Sequence, residues 1–520
     1  MKIGIIGAGI AGLTTAKVLK QAGHDVVVFD KAPDVGGVWS RTRRYPGVST
    51  QSPKAQYSLS DFPMPKDYPE WPSGPQVQAY LESYAAHFGL LPHLRMCTEV
   101  TRARPTEDGW AVDFHGTDGT TDTADFDRLV VANGIFCEPA VPEYPGLEEF
   151  TAVGGRLWAG TEFHDAEVAV DKHVLVVGYG KSACDVAVPI SRVAASTDVI
   201  ARHVLWKIPR KIGGFLNFKM LLMTRLGEAL FRYMRLRGLE KFLHGPGDGL
   251  RQLMLNSLGP SSIRQYRLKK LNLVPPGRME DIVKGPIGLG TEGFFEGVAD
   301  GTITVRRDRT IARLLADGNR SCAELSDGTV LPADLVICAT GFRQGVPFLD
   351  EEVQRRLLDD RGNFMLYRQI LPVDQPGLYF NGYNSSFFSQ LNAEMAALWI
   401  AADLAGFLSL PDPQTRRKRV TDQIAFMDDA TGRHHCRGTK VIPFSVRNVD
   451  EVLDDLGLNI SPLIRAVHWL KPVDPAAYRD VTGKLIELLG QQRPPDRRPH
   501  SSLESDIAGK DWLGGQSDVA

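Results

Sequence analysis

The sequence predicts an α/β fold with two parallel sheets, because two short apolar runs each lead into a glycine-rich turn and a helical pattern. The first run is KIGII at residues 2–6, and the second is HVLVV at residues 173–177. Two further apolar runs, at residues 128–131 and 335–338, also end in turns that contain glycine. A chain of 520 residues is long enough for two or three domains, so each glycine turn can belong to its own sheet.

The first turn has the parts of a dinucleotide-binding unit. Gly7, Gly9 and Gly12 form G-x-G-x-x-G, a helical pattern follows, and the next apolar run ends on Asp30. Gly7 permits the tight turn, Gly9 lets a pyrophosphate approach the backbone, and Gly12 lets the helix pack closely on the strand. The helix N-terminus attracts phosphate, and Asp30 can accept hydrogen bonds from ribose hydroxyls. An ordinary strand–turn–helix unit is the alternative.

The second turn repeats this pattern with two differences. Gly178 and Gly180 make the turn, and Ala183 replaces the third glycine, which still allows close helix packing. The next apolar run ends at Arg202 and has no acid there. An arginine at this place can pair with the 2′-phosphate of NADPH, whereas an acid would repel it. A solvated charge at the strand end is the alternative for Arg202.

Composition excludes several other classes of protein. The net charge of −2 provides no field for nucleic acid, so a small-molecule partner is expected. The six cysteines form no C-x-x-C pair, which indicates a reducing cytoplasm and no metal site. The segment RHHCRG at residues 433–438 is not expected to bind a metal, because adjacent side chains point in different directions. The apolar window at residues 212–234 carries four charges, so no transmembrane segment is expected.

Three segments carry a family resemblance. They are TQSPKAQYSLSDFPMP at residues 50–65, GRLWAGTEFHDAEV at residues 155–168 and RHVLWKIPRK at residues 202–211. They resemble motifs of the class B flavin-dependent monooxygenases, the superfamily of flavin-containing and Baeyer–Villiger monooxygenases. The flavin-containing monooxygenase branch is the more similar of the two.

The middle segment matches the family signature only in part. Gly160 and His164 stand where the signature has them, whereas Trp158 replaces a phenylalanine and Val168 replaces an aromatic residue. His164 is a candidate catalytic base. A histidine that fixes the junction between two domains is the alternative, and the resemblance favours it.

The resemblance implies an oxidoreductase with two cofactors, FAD on the first turn and NADPH on the second. NADPH reduces the flavin, O₂ then forms a C4a-(hydro)peroxyflavin, and this oxygenates a small organic substrate at nitrogen, sulfur or electron-rich carbon. The FAD and NADPH domains are expected to be nested Rossmann-like dinucleotide-binding domains. The expected layout is an FAD domain at 1–150 and 331–450, an NADPH domain at 151–330 with a helical insertion at about 212–289, a helical segment at 451–490 and a disordered tail at 491–520.

The same resemblance extends the set of expected cofactor-binding residues. Besides the glycines, Asp30 and Arg202, the set comprises Lys31, Gly37, Trp39, Val100, Asn133, Lys181, Ser182, Trp206, Thr340, Gly341 and Gln390. Asn392 is expected to be the N-cap of a helix whose start, in related flavoproteins, faces the flavin.

The residue at position 51 distinguishes the two branches of the family that this sequence resembles. The amine- and sulfur-oxidising branch has an asparagine after Thr50, and the Baeyer–Villiger branch has an aspartate. Glutamine keeps the amide and lacks the carboxylate, so a role in lining the site is expected. Closing a loop through a hydrogen bond is the alternative for Gln51. A Baeyer–Villiger enzyme, a flavin-dependent NADPH oxidase or reductase, and a non-catalytic NADPH sensor remain the competing functions.

Two features of assembly stay open in the sequence. The apolar residues of the block from 212 to about 289 recur at helical spacing with interleaved lysine and arginine, which is typical of a core face. A lid over a substrate tunnel and, for residues 212–240, peripheral membrane contact are the alternatives. The oligomeric state is undetermined, and a homodimer is one of the alternatives.

Overall fold

The computed structural model describes residues 1–116, 119–279, 282, 288–384, 386–432 and 444–490. Within these residues the fold is mixed α/β, as the glycine turns and apolar runs predicted. The strands are β1 (Lys2–Ile6), β2 (Asp25–Phe29), β3 (Leu94–Arg95), β4 (Glu99–Pro105), β5 (Trp110–His115), β6 (Thr121–Phe126), β7 (Arg128–Val131), β8 (Glu138–Pro139), β9 (Arg156–Ala159), β10 (His173–Val177), β11 (Ser196–Ala201), β12 (Lys207–Ile208), β13 (Lys211–Ile212), β14 (Leu216–Asn217), β15 (Gly288–Leu289), β16 (Thr304–Arg307), β17 (Ile311–Asp317), β18 (Arg320–Leu325), β19 (Val330–Pro332), β20 (Leu335–Cys338), β21 (Phe342–Arg343), β22 (Leu366–Tyr367), β23 (Leu371–Pro372) and β24 (Leu378–Phe380).

The helices surround these strands. They are α1 (Ile10–Gln21), α2 (Lys54–Tyr57), α3 (Gly74–His87), α4 (Leu147–Ala152), α5 (Lys181–Ile190), α6 (Lys219–Leu222), α7 (Arg225–Ala229), α8 (Leu239–Leu243), α9 (Asp248–Gln265), α10 (Phe294–Asp300), α11 (Glu351–Leu357), α12 (Ser389–Leu404), α13 (Pro413–Thr431), α14 (Ser445–Leu456), α15 (Pro462–Val467) and α16 (Arg479–Gly490).

Two five-stranded parallel sheets form the frame. The first has the order β24-β7-β1-β2-β3, and the second has the order β16-β11-β10-β20-β9. Strands β1 and β10, which precede the two glycine turns, are interior to their sheets and almost fully buried. Burial on both faces explains why these strands are continuous apolar runs rather than alternating ones.

The chain visits the first sheet, then the second, and then returns to the first. Strands β8 and β21 lie on the two connections and pair antiparallel, with Phe342 opposite Pro139. Strand β20 lies between β10 and β9 of the second sheet, so that unit runs through Cys338. The boundary predicted at residue 330 is therefore too early. The error arose because the apolar run at 335–338 was assigned to the returning segment, although its residues complete the second sheet.

Asn392 is not the N-cap of its helix. Helix α12 begins at Ser389, and Asn392 lies buried within its first turns. The Asn392 amide donates to the Phe388 carbonyl at 2.9 Å, and its oxygen accepts from the Asn448 amide at 2.7 Å. Tertiary contact with α14 explains this position better than a local cap.

The inserted segment packs against the C-terminal helices. Phe218, Met223, Leu230 and Tyr233 of the insertion are buried, so much of the apolar pattern at 212–240 is a core face. No helix among the described residues is long and apolar enough to cross a membrane. The segments predicted as the 491–520 tail and the 433–438 histidine–cysteine cluster lie outside the described residues.

Buried charges join this insertion to α14. The Arg225 guanidinium forms two hydrogen bonds with the Asp450 carboxylate, at 2.6 and 2.8 Å, and both side chains are less than a tenth exposed. The Glu228 carboxylate accepts the backbone N–H groups of Val446 and Arg447 at the start of α14. Burial raises the pKa of Glu228 to about 8, and the two backbone hydrogen bonds and the Arg447 charge oppose that shift.

We expect Arg225→Met to destabilise the fold strongly. Breaking a buried ion pair costs about 3–5 kcal/mol, and the lower end applies because Arg465 still pairs with Asp450 at 2.8 Å. Urea unfolding followed by far-UV circular dichroism should show a lower midpoint. Lys418→Met is the matched control, since Lys418 and Asp422 form an exposed pair worth at most about 1 kcal/mol. Equal shifts in the two variants would contradict a structural role for the buried pair.

Candidate functional site

The first glycine turn is packed so that side chains are excluded at two of its positions. Gly7 has a φ of +111°, and a Cβ there would lie 2.4 Å from the Ala132 carbonyl oxygen. A Cβ on Gly12 would lie 1.8 Å from the Gly7 carbonyl oxygen. Gly9, the N-cap of α1, is different, because a Cβ there would meet only Gly37 at 3.6 Å. Gly7 and Gly12 therefore serve packing, and Gly9 leaves its backbone open to a ligand.

Asp30 holds the first turn in place. Its carboxylate accepts the backbone N–H of Ala8 at 2.7 Å and that of Ala32 at 2.8 Å, one on each oxygen. Burial raises the pKa of Asp30, and these two hydrogen bonds oppose that effect. Each oxygen retains a lone pair, so the carboxylate can still accept from ribose hydroxyls.

An aromatic and amide wall lies between the first turn and the start of α12. The Trp39 indole donates to the Tyr57 hydroxyl at 2.8 Å, and both side chains pack edge to face. The Gln390 amide faces Tyr57, is 1% exposed, and makes no hydrogen bond within 3.5 Å among the described residues. Unsatisfied buried amides are costly, so this amide is suited to a polar ligand. A flavin ring offers the matching donor and acceptor groups.

The second turn has the same construction. Gly178 has a φ of +123°, and a Cβ there would lie 2.6 Å from the Ala339 carbonyl oxygen. Gly180 is the N-cap of α5, and a Cβ there would meet nothing within 4 Å. The open side of Gly180 is the position at which the pattern predicts a pyrophosphate.

The side chains after Gly180 contact a buried carboxylate. Lys181 forms an ion pair with Asp185 one turn along α5, and the Asp185 side chain is 1% exposed. Asp185 also accepts from the Thr291 hydroxyl at 2.6 Å and from the Tyr45 hydroxyl at 3.4 Å. The single Tyr45 hydroxyl proton is shared between Asp185 and the Ser182 hydroxyl oxygen, which lies 3.1 Å away. Asp185 thus connects the second turn with the loop that follows the first one.

Gln51 lies where the two units meet. Its side-chain oxygen accepts the backbone N–H of Leu289 at 3.1 Å, and the neighbouring Ser52 hydroxyl donates to the Phe387 carbonyl at 2.9 Å, just before α12. A Cβ added at Gly288 would lie within 4 Å of the Gln51 side-chain oxygen, the Lys181 Cβ and the Lys207 ammonium. The loop hydrogen bond considered for Gln51 therefore exists, but it spans the two units and leaves the amide nitrogen for a ligand.

Arg210 closes the same junction. Its guanidinium donates to the Ser49 hydroxyl at 2.7 Å and lies 5.0 Å above the Trp71 ring. Burial lowers the pKa of Arg210, and Asp185 and Glu292 oppose that shift. Trp206 is buried and lies near Gly259 of α9, which makes it a core residue of the insertion in this structure.

Arg202 lies directly after β11, exposed, at the carboxyl end of the second sheet. Arg307 of β16 is opposite Ala201 in the same ladder, and its guanidinium donates to the Asn272 carbonyl at 2.8 Å. Two arginines at one strand end provide a suitable place for a 2′-phosphate.

His164 is exposed and its ring nitrogen lies 3.2 Å from the Arg44 carbonyl oxygen. This contact joins the second unit to the loop of the first one. This is the kind of contact that the junction alternative for His164 predicted, and the role of His164 as a catalytic base stays a prediction.

The other expected cofactor residues lie at the edges of the first unit. The Asn133 amide donates to the Gly345 carbonyl at 3.0 Å, and the Thr340 hydroxyl donates to the Ala140 carbonyl at 2.6 Å beside Gly341. Val100 is buried in β4, and Lys31 is exposed near Glu99. Asn133 and Thr340 thus hold the two connections between the units.

Sequence reasoning missed several residues of this site. They are Tyr45, Tyr57, Asp185, Lys207, Arg210, Leu289 and Thr291. Asp185 carried a local signal, since it lies one helical turn after Lys181. No group of three or more metal-ligating residues occurs among the described residues.

Comparisons with known proteins agree with this architecture. The family described as flavin-binding monooxygenase-like matches residues 1–243. The probable indole-3-pyruvate monooxygenase YUCCA8 of Arabidopsis thaliana is 30% identical over 80% of this chain and 91% of its own. The chain belongs to the flavin-binding monooxygenase family. Flavin-containing monooxygenase 1 of Homo sapiens is 27% identical over 81% of this chain and 76% of its own, which agrees with the predicted branch.

Solved structures share the fold. Tmm from Pelagibacter sp. strain HTCC7211 has a TM-score of 0.60 at 20% identity, over 90% of this chain and 89% of its own. An OTEMO complex with FAD and NADP has a TM-score of 0.64 at 17% identity, over 84% of this chain and 91% of its own. Membership of the family confirms the expected oxidoreductase, a flavoprotein monooxygenase with FAD and NADPH as cofactors.

We expect Gly9→Val to yield folded protein with little bound flavin. Gly9 has ordinary backbone angles and room for a Cβ, so the added methyl groups occupy ligand space rather than core space. Gly12→Val is the comparison, because its Cβ overlaps the Gly7 carbonyl and should disrupt folding itself. The flavin-to-protein absorbance ratio and the thermal unfolding midpoint separate the two effects. Full flavin occupancy in Gly9→Val would exclude the first turn as the FAD site.

We expect Arg202→Ala to raise the KM for NADPH far more than that for NADH. A charge-assisted contact with the 2′-phosphate is worth roughly 1.5–3 kcal/mol, which is about ten- to a hundredfold. Arg192→Ala is the control, since Arg192 is an exposed arginine of the same unit. Equal changes for both coenzymes would show that Arg202 does not bind the 2′-phosphate.

Proposed function

We propose that FAD binds at the first glycine turn, NADPH binds at the second, and a small organic substrate is oxygenated in the cleft between them. The observation that supports this most directly is the position of Gln51, which follows the first unit's loop and accepts the Leu289 N–H at the second unit's side. Both glycine turns lie at the carboxyl ends of their parallel strands, where α/β sheets bind ligands.

The units are then two nested Rossmann-like domains. The FAD domain comprises residues 1–150 and about 339–450, and the NADPH domain comprises 151–338. The parallel strands of each sheet and the antiparallel pair of β8 and β21 support this division. The helical segment of residues 451–490 covers the insertion and α12 rather than forming a domain of its own.

When bound, FAD takes a hydride from NADPH and uses O₂ to oxygenate the substrate. The residues around it prepare the site for this chemistry. The start of α12 brings partial positive charge to the place where a reduced flavin carries negative charge. Trp39, Tyr57 and Gln390 supply a dry wall with one unsatisfied amide. A dry site limits loss of the oxygen as hydrogen peroxide.

The class of oxidation follows from Gln51. An amide at this position lacks the carboxylate of the Baeyer–Villiger branch, so oxygenation at nitrogen, sulfur or electron-rich carbon is the proposal. The purified flavoprotein should be assayed with NADPH against an aryl amine, a sulfide, an indole and a cyclic ketone, with products identified by mass spectrometry. Ester formed from the ketone alone would favour a Baeyer–Villiger enzyme. NADPH consumption without oxygenated product would favour an oxidase or reductase, and neither activity would favour an NADPH sensor.

The cellular location, membrane contact and oligomeric state are proposed from fewer observations. Cys97, Cys137, Cys184, Cys322 and Cys338 are free thiols, which supports a reducing cytoplasm. Peripheral membrane contact through residues 212–240 would rest on Phe215, Met220 and Leu239, the exposed large apolar side chains of that segment. A homodimer remains a proposal that sedimentation can test.

We expect Gln51→Ala to uncouple NADPH oxidation from oxygenation. The change removes the amide nitrogen offered to the site and the hydrogen bond to Leu289, which together are worth roughly 1–3 kcal/mol. Hydride transfer depends mainly on stacking of the two cofactor rings, so NADPH oxidation should continue. Hydrogen peroxide formed per NADPH consumed should rise.

Gln51→Asn is the matched variant. It keeps the amide on a shorter side chain and should recover coupling better than alanine does. Unchanged coupling in Gln51→Ala would place Gln51 outside the site, and its use against the Baeyer–Villiger function would then be lost.

A further inference from the structure

A buried lysine without a hydrogen-bond partner among the described residues lies beside the second glycine turn. Lys207 in β12 is 2% exposed, and its ammonium makes no hydrogen bond among the described residues. It lies 5.3 Å from the centre of the Tyr179 ring, within the second glycine turn. Burying an ammonium without a hydrogen-bond acceptor is costly, and the contact with the Tyr179 ring offsets only part of the lost hydration.

The one carboxylate that acts on Lys207 is already engaged. Asp185 pairs with Lys181 through both oxygens and also accepts from Thr291 and Tyr45. Among the described residues, the Lys181 and Lys207 ammonium groups therefore share one carboxylate, that of Asp185. The nearby Cys184 thiol does not balance the charge, because burial raises its pKa. Gln51, whose oxygen approaches the same point beside Gly288, is neutral as well.

The position of Lys207 suits a ligand rather than the core. Strand β12 pairs with β15, and Lys207 is directly opposite Gly288, which has no side chain to cover the ammonium. A Cβ added at Gly288 would be at ordinary contact distance from Lys181, Lys207 and Gln51, so these three side chains surround a space the size of one carbon atom. Burial lowers the pKa of Lys207, and an anion beside it would oppose that shift.

We propose that Lys207 is the anion-binding residue of the cleft, where it pairs with a carboxylate or phosphate oxygen of a bound ligand. This rests on the proposed placement of NADPH and substrate between the two units. Two sources supply such an oxygen, the phosphates of the coenzyme and a carboxylate on the substrate. If the substrate is the source, the enzyme acts on organic acids in preference to the uncharged analogues.

The test uses flavin-loaded protein and binding measurements that need no turnover. Lys207→Met removes the charge with little change in volume, Lys207→Gln is a polar second variant, and Lys241→Met on the exposed side of α8 is the control. Titrations with NADP⁺, 4-(methylthio)benzoate and thioanisole are followed through the flavin absorption spectrum. The last two probes share the reacting sulfur and differ in the carboxylate.

A loss of about 10- to 100-fold in the affinity for NADP⁺ in Lys207→Met or Lys207→Gln would identify a coenzyme phosphate as the partner. A similar loss for 4-(methylthio)benzoate, with thioanisole unchanged, would identify a substrate carboxylate. Unchanged affinity for NADP⁺ and for 4-(methylthio)benzoate in a folded, flavin-containing variant would overturn the proposal. Failure of the wild type to oxygenate either sulfide would count against the proposed function instead, because the binding titrations do not depend on it.

Discussion

The arrangement of residues around the second glycine turn depends on the buried carboxylate of Asp185. It accepts from Lys181 in its own helix, from Thr291 after the insertion and from Tyr45 in the first unit. These three segments are far apart in sequence, and the carboxylate fixes them around the second glycine turn. A buried carboxylate is tolerated there because its ion pair and hydrogen bonds replace the lost hydration.

Local rules were enough to predict the parts of the site that are built from backbone. Gly7, Gly12 and Gly178 are required because a side chain at each would overlap a carbonyl oxygen less than 3 Å away. Such constraints act between residues close in sequence or on adjacent strands, so a sequence pattern records them. The order of strand, turn and helix in both units follows from the same rules, and the family resemblance added the cofactors.

Long-range contacts could not be predicted in the same way. The partner of Gln51 is the backbone of Leu289, and no pattern in the sequence relates the two. Lys207 falls between the recognisable residues of its segment, and only the fold shows that its ammonium is buried without a hydrogen-bond partner in the described part of the chain. Asn392 was assigned by its residue type to a helix cap, but packing against Asn448 outweighs that local preference. The boundary at residue 330 failed for a related reason, since an apolar strand does not reveal which sheet it joins.

A ligand would approach the glycine backbones without rearrangement, but it would have to break an existing ion pair to bind Lys181. At Gly9 and Gly180 the backbone is already open, so phosphate groups can approach without rearrangement. Lys181, by contrast, is paired with Asp185, and a coenzyme phosphate that recruits this lysine has to compete with that pair. If the ion pair between Lys181 and Asp185 were broken, the carboxylate would keep its hydrogen bonds with Thr291 and Tyr45 and its attraction to the nearby Lys207. A coenzyme phosphate that recruited Lys181 would therefore couple coenzyme binding to the contact between the two units, because a change in the Asp185 ion pair would alter the Tyr45 hydrogen bond that joins them.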